Sequence, residues 1–147
     1  MFPVVNDTTI VVPYKTDRLS QWVLKHTRPS DIFLTHTELT HPILLAGRKI
    51  FLGYTLFAWT AGYNVPEREK VYFGLFQETN PETLIHLLNK HKIAYVAIDD
   101  GIRQNTLILR LNESVYAQYF RKVFDDTENQ YANLAIYEMP VVASVNE

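Results

Sequence analysis

Two histidines and a glutamate, His36, Glu38 and His41, lie within six residues of one another. Imidazole nitrogens and carboxylate oxygens are common zinc ligands, so this segment could bind a metal. The helical zinc motif of metalloproteases places its histidines four apart, with a glutamate directly after the first, and the order here is different. The chain supplies no cysteine and no third imidazole nearby. We therefore predict no metal site and interpret the segment as a solvated loop.

A pair of carboxylates, Asp99 and Asp100, follows the apolar run that ends at Ile98. Open α/β sheets bind ligands beyond the carboxyl ends of their strands, and this pair and segment 36–41 are both expected there. The carboxylates could carry out acid–base chemistry or hold a divalent cation. Asp-Asp-Gly at a strand end more commonly forms a turn that caps the next segment, and we favour that interpretation.

These side chains define one alternative for the function of the chain. A free-standing α/β enzyme or small-molecule-binding protein would use a strand-end site made of His36, Glu38, His41, Asp99 and Asp100. Such a protein is expected to have a measurable ligand or metal.

Several kinds of chemistry are disfavoured by what the sequence lacks. The absence of cysteine excludes disulfides, thiolate nucleophiles and cysteine-ligated metal centres. The sequence contains neither a glycine-rich phosphate loop nor a serine nucleophile elbow. A net charge of -2 offers no basic surface to a phosphate backbone. We assign no catalytic residue and no cofactor, and we expect no nucleic acid partner.

The secondary structure predicted from apolar patterns is a mixture of helices and strands. Segments 31–35, 49–53 and 93–98 read as buried strands without alternation, and amphipathic helices lie between them. Segments 122–124 and 134–138 flank a polar stretch and predict a hairpin at one edge. The expected fold is a small Rossmann-like, three-layer α/β domain with a mostly parallel central sheet and a C-terminal antiparallel hairpin.

Helix starts are predicted from capping residues and prolines. The residues concerned are Thr16, Pro66, Asn80 followed by Pro81, and Asn112. Asn112 also begins an Asn-Glu-Ser sequence that fits the glycosylation acceptor pattern.

The length and composition predict a single domain. The chain has 147 residues, of which 47% are hydrophobic, enough for one core. We expect one domain over residues 1–147 with an ordered core of about 8–140. No run reaches the roughly 20 apolar residues of a membrane helix, and the first residues lack the order of a signal peptide. Taken as complete, the chain would be cytoplasmic, and taken as a fragment it could lie on either side of a membrane.

Segment 46–54 has the sequence Ala-Gly-Arg-Lys-Ile-Phe-Leu-Gly-Tyr. It is followed by Trp59, Gly62, Tyr63, Arg68 and Glu69. This order resembles the C-terminal soluble domain of polytopic GT-C-like membrane glycosyltransferases and related uncharacterised integral membrane proteins. That domain similarly has Ala-Gly-Arg before Gly-Tyr, a loop with tryptophan and glycine, an Arg-Glu helix and a Tyr-Val strand. The resemblance covers residues 16–138 as an order of elements and is most specific in residues 46–69.

The resemblance implies an extracytoplasmic soluble domain of an integral membrane protein. Enzymes of this class use a lipid-phosphate-linked sugar donor, and their catalytic acid lies on a loop between the first membrane helices, for which this sequence has no counterpart. No catalytic residue is therefore carried over. The implied partners are the membrane-embedded portion of the same polypeptide and a carbohydrate or lipid-linked sugar. The expected function is a non-catalytic accessory domain that contributes to acceptor or sugar binding.

The candidate binding residues lie in the segment that carries the resemblance. They are Arg48, Tyr54, Trp59, Tyr63, Arg68 and Glu69. The three aromatic rings could stack on a sugar or rest on a membrane surface. For Arg48 we favour a structural role, in which its guanidinium satisfies free helix carbonyls or pairs with Glu67 or Glu69.

Overall fold

The structure is a computed structural model that describes residues 17–37, 41–52 and 65–140. The helices are α1 (Arg18–His26), α2 (Pro42–Leu45), α3 (Val65–Leu75), α4 (Pro81–Lys90), α5 (Asp100–Arg103) and α6 (Glu113–Tyr119). The strands are β1 (Ile32–Leu34), β2 (Lys49–Ile50), β3 (Ile93–Ile98), β4 (Arg121–Asp125) and β5 (Ala135–Glu138). The predictions for Thr16, Glu38, Tyr54, Trp59 and Tyr63 lie outside the described residues.

The strands form one five-stranded mixed sheet in the order β2-β1-β3-β5-β4. Strand β1 pairs in parallel with β2 and with β3, whereas β5 pairs antiparallel with β3 and with β4. The β–α–β step through α2 and the C-terminal hairpin are both present, so the α/β class is confirmed. The sheet is only partly parallel, however, because β5 inserts between β3 and β4 and runs against both.

Apolar side chains pack against both sides of this sheet. Along β3, Tyr95 and Ala97 belong to one buried cluster, and Val96 and Ile98 belong to the other. The first cluster, here called the α1 side, also contains Leu19, Val23 and Ile43 from α1 and α2. The second cluster contains Tyr72, Leu84 and Tyr116 from α3, α4 and α6. Burial on both sides explains why β3 lacks alternating polar residues.

The starts of α1 and α4 show how far capping signals can be read from sequence. The predicted cap of α4 is confirmed, since the Asn80 side chain accepts hydrogen bonds from the N–H groups of Glu82 and Thr83 at 3.0 and 3.1 Å. Helix α1 is capped by Asp17, whose carboxylate accepts a hydrogen bond from Ser20 N–H at 2.8 Å. Threonine and aspartate both cap helices well, so sequence alone does not choose between neighbours.

Asn112 precedes α6, but its side chain makes no capping hydrogen bond. Its amide group instead donates to the carbonyls of Leu75 and Glu78, at 3.1 and 2.6 Å, where α3 ends. Asn112 thus occupies the predicted cap position of α6, but the side-chain capping hydrogen bond is absent, because the end of α3 binds its amide group. Asn112 is only 2% exposed, so the folded domain does not present its amide for glycosylation.

Candidate functional site at the carboxyl ends of the parallel strands

The three parallel strands place several polar residues at one edge of the sheet. Strands β1, β2 and β3 run in the same direction, so the residues after Leu34, Ile50 and Ile98 lie at the same edge. This is the edge at which open α/β sheets bind ligands. Of the residues predicted there, the structure brings together His36, His41 and Asp99.

The centre of this edge is a buried pair formed by His41 and Asp99, which are 1% and 7% exposed. His41 Nε2 lies 3.7 Å from Asp99 Oδ2, which is close enough for an electrostatic interaction but long for a hydrogen bond. The Nδ1 atom of His41 accepts a hydrogen bond from Ile43 N–H at 3.2 Å. Because Nδ1 accepts, the proton of a neutral His41 is assigned to Nε2, on the side that faces Asp99.

Asp99 also caps helix α5, as the sequence predicted. Its Oδ1 atom accepts a hydrogen bond from Ile102 N–H at 3.1 Å. Burial raises the pKa of Asp99, but the interaction with His41, the Ile102 N–H and the nearby His36 outweigh burial and hold this pKa below its ordinary value. The carboxylate is therefore ionised at neutral pH and is engaged on both of its oxygens.

His36 packs against the first turn of α5, next to the His41–Asp99 pair. A methyl group added to Gly101 would overlap the imidazole ring of His36, so the glycine allows this close approach. His36 is half-buried. It is therefore the more accessible of the two described imidazoles at this edge.

Asp100 is bound on a different side of α5. Its carboxylate pairs with Arg103 at 2.9 Å and accepts a hydrogen bond from Asn133 Nδ2 at 2.8 Å. Arg103 also forms a bidentate ion pair with Glu113, with nitrogen–oxygen distances from 2.8 to 3.3 Å. Asp100 thus ties α5 to the β4–β5 connection and does not form a pair of free carboxylates with Asp99.

Tyr72 is a member of this edge that sequence reasoning missed. Its hydroxyl donates a hydrogen bond to the Thr35 carbonyl at 2.8 Å and connects α3 to the end of β1. Burial and the charge of Asp99 both raise the pKa of Tyr72, so the hydroxyl remains protonated. In the sequence Tyr72 appears only as part of the buried stripe of α3, and no local signal marks its polar end.

Arg48 lies in the interior, at the carboxyl end of α1. It is 7% exposed, and its Nε donates to Thr27 Oγ1 at 2.8 Å. A terminal nitrogen of the guanidinium donates to the carbonyls of Thr27 and Val23 at 3.2 and 3.4 Å. The structure therefore places Arg48 in the carbonyl-binding role favoured from sequence, and the carbonyls belong to α1.

Arg68 fastens the start of α3 to the end of β2. One of its terminal nitrogens donates to the Phe51 carbonyl at 2.6 Å, and its guanidinium carbon lies 4.3 Å from the centre of the Phe51 ring. Glu69 is half-buried on the same helix. Segment 53–64, which contains Tyr54, Trp59 and Tyr63, separates Phe51 from Arg68 in the chain and lies outside the described residues.

The part of the chain that the structure describes contains neither a metal-binding cluster nor a membrane-spanning helix. Within residues 17–37, 41–52 and 65–140, no group of three or more His, Cys, Asp or Glu side chains is placed to hold a metal ion. None of the helices described combines the length and apolarity needed to cross a bilayer. No family model matches the chain, and no curated protein is similar enough to count as a relative.

Proposed function

We propose that this chain is a non-catalytic, extracytoplasmic accessory domain of a GT-C-like integral membrane glycosyltransferase. The observation that carries the proposal is the placement of Arg48 and Arg68, the two arginines of the segment that resembles this family. Arg48 donates hydrogen bonds to carbonyls at the end of α1, and Arg68 donates to the Phe51 carbonyl. These contacts stabilise the chain at the two ends of β2. In the described part of the resembling segment, both arginines therefore have a structural role.

The geometry of the strand-end pair is in keeping with a supporting role. Both ring nitrogens of His41 face partners, and Asp99 caps α5 while it faces His41. A general base needs a free nitrogen or oxygen within reach of a substrate proton. The proposal also includes the Rossmann-like, three-layer form of the domain, which is supported by the burial of β3 on both sides.

In this proposal the domain packs on the membrane-embedded portion of its own polypeptide. A carbohydrate acceptor or a lipid-linked sugar is the ligand that it helps to position. Tyr54, Trp59, Tyr63 and Glu69 remain predicted contributors to that surface.

The proposal is tested by the size and the cellular location of the protein that the source cells produce. An antibody against this chain should detect, in source cells, a membrane-bound species much larger than 17.1 kDa. We expect it to resist alkaline extraction and to be released by detergent, which separates an integral protein from a peripheral one. A species near 17.1 kDa in the soluble fraction would contradict the proposal.

A second candidate function, a small-molecule site at the strand ends, is favoured by the convergence of His36, His41 and Asp99. Ligand binding raises the melting temperature by mass action, so a screen of divalent cations and sugar phosphates should find a compound that stabilises the protein by several degrees. His36→Ala should abolish that shift. His86→Ala, which removes an exposed imidazole on α4, is the matched control and should retain it. A screen without any shift argues against this candidate.

A further inference from the structure

Three side chains form a row at the end of the sheet that lies opposite the His41–Asp99 pair. The strand register places Tyr95 opposite Glu138, and Glu138 opposite Arg121. Directly opposed residues of antiparallel strands carry their side chains on the same face. Tyr95 belongs to the α1 side, so the row lies beneath helix α1.

The last turns of α1 supply the wall above this row. Trp22 and His26 stack with their rings 5.5 Å apart, and Trp22 meets Tyr95 edge to face at 5.9 Å. Together with the row, these rings line a recess of about 370 Å³, here called the aromatic cleft and made of Trp22, His26, Tyr95, Arg121 and Glu138. Its volume falls within the usual range for small-molecule sites.

A second recess of about 370 Å³ shares His26, Tyr95 and Glu138 with the first and reaches Arg28 and Asp31. The two recesses adjoin at these three shared residues, and together they are here called the groove. Two adjoining recesses suit an extended ligand with several similar units better than a single compact molecule.

The charges along the groove are balanced in pairs. Arg121 binds Glu138 at 2.9 Å, Arg28 binds Asp31 at 3.3 Å, and Lys122 lies 3.6 Å from a carboxylate oxygen of Asp125. Paired cations exert little net attraction on an anion. Each carboxylate beside a guanidinium instead offers an acceptor next to donors, which matches a hydroxyl group that donates and accepts at once.

Tyr95 lines both recesses and is 8% exposed. Its hydroxyl donates a hydrogen bond to the His26 carbonyl at 3.4 Å. Burial and the charges of Asp31 and Glu138 raise the pKa of Tyr95, so this hydroxyl keeps its proton. The groove thus combines aromatic surface with uncharged and charge-balanced hydrogen-bonding groups.

We propose that the aromatic cleft is a binding site for a neutral oligosaccharide. Sugar rings present apolar C–H faces to aromatic rings and hydroxyl groups to the Arg121–Glu138 and Arg28–Asp31 pairs. The choice of a carbohydrate among polyhydroxylated ligands rests on the proposed function. The site lies at the opposite end of the sheet from the His41–Asp99 pair, and none of the five residues that define it lies within residues 46–69, where the resemblance to the glycosyltransferases is most specific.

The two tryptophans of the chain, Trp22 and Trp59, allow a direct test by fluorescence. The full chain is titrated with chitotriose, mannotriose, cellotriose and maltotriose. In Trp59→Phe the remaining signal comes from Trp22, and we expect saturable quenching by at least one of these sugars, which reports binding in the cleft. In Trp22→Phe the signal comes from Trp59, so a response to that sugar in this variant reports the separate surface predicted at Trp59 and not the cleft.

Glu138→Gln removes the charge of the acceptor with little change of shape. It should weaken binding about tenfold, the usual effect of losing a charge-assisted hydrogen bond. Glu128→Gln, which changes an exposed glutamate outside the cleft, is the matched control and should bind normally. The proposal is overturned if Trp22 shows no saturable response, if only Trp59 responds, or if Glu138→Gln binds like the unaltered chain. Such a failure leaves the fractionation result intact, so the two proposals fail separately.

Discussion

Asp126→Ala should lower the free energy of unfolding by about 3 kcal/mol at neutral pH. The Asp126 side chain is fully buried and accepts hydrogen bonds from the N–H groups of Gln130, Tyr131 and Asn133 at 2.9, 2.7 and 3.1 Å. It also pairs with Arg18 at 3.1 Å. Removal leaves three backbone donors and part of a cation without their partner. Because Arg18 is 35% exposed and can reach water, the expected loss is at the lower end for a broken buried pair.

The neighbouring carboxylate is the matched control for this experiment. Asp125 is 56% exposed on its side chain and lies 3.6 Å from Lys122. Asp125→Ala should therefore change stability by no more than about 0.5 kcal/mol. Denaturant unfolding at constant m value measures both changes. A loss below about 1 kcal/mol for Asp126→Ala would contradict the structural role derived from these contacts.

The same carboxylate gives stability a definite dependence on pH. Burial raises the pKa of Asp126, but the three backbone N–H groups and Arg18 outweigh it and hold this pKa below its ordinary value. The unfolded chain then binds more protons than the folded one below about pH 4, so stability decreases as the pH falls through this range. Asp126→Ala should show a flatter decrease there than the unaltered chain, measured by unfolding on either side of about pH 4.

Arg48→Met should lower the free energy of unfolding by about 2 kcal/mol. Methionine retains an apolar chain of similar length but cannot donate to Thr27 Oγ1 or to the Thr27 carbonyl. The Val23 carbonyl keeps its hydrogen bonds from Thr27 N–H and Thr27 Oγ1, which limits the loss. The free energy is obtained from denaturant unfolding, as for Asp126.

Lys49→Met provides the control, since Lys49 is the adjacent, exposed residue and begins β2. Its expected change is within about 0.5 kcal/mol. Equal stability of Arg48→Met and Lys49→Met would show that Arg48 is dispensable for folding. In that case Arg48 would return as a candidate for ligand binding.

Local features of the fold were predictable because they depend on residues close together in sequence. The Asn80 cap binds N–H groups two and three residues ahead, and Pro81 fits the first helical position. Strand β3 was evident in the sequence from six consecutive apolar residues, all of which are buried or half-buried in the structure. Each of these signals lies within one short segment, where side-chain chemistry and backbone preference act together.

Contacts between distant segments were not predictable in this way. Arg18 and Asp126 are 108 positions apart, and Arg48 reaches Thr27 across 21 positions. Asn112 illustrates the same limit. Its side-chain amide donates hydrogen bonds to carbonyls 34 and 37 positions away, and its side chain makes no capping hydrogen bond in α6. Local sequence cannot reveal which distant carbonyl or N–H group will compete for a side chain.

The candidate sites likewise depend partly on local sequence and partly on contacts between distant segments. The sequence alone determined which polar residues follow the apolar segments, and it named His36, His41 and Asp99 for the strand-end edge. The cap that Asp99 provides was predicted from sequence. Only the tertiary structure decided that His41 faces Asp99 and also binds the start of α2. The aromatic cleft had no sequence signal, since Tyr95, Glu138 and Arg121 meet only through strand register. Backbone preference and apolar periodicity act within a few residues, so the sequence by itself determined the helices and strands. Strand register and packing depend on the whole chain, so only the tertiary structure decided how these elements contact one another.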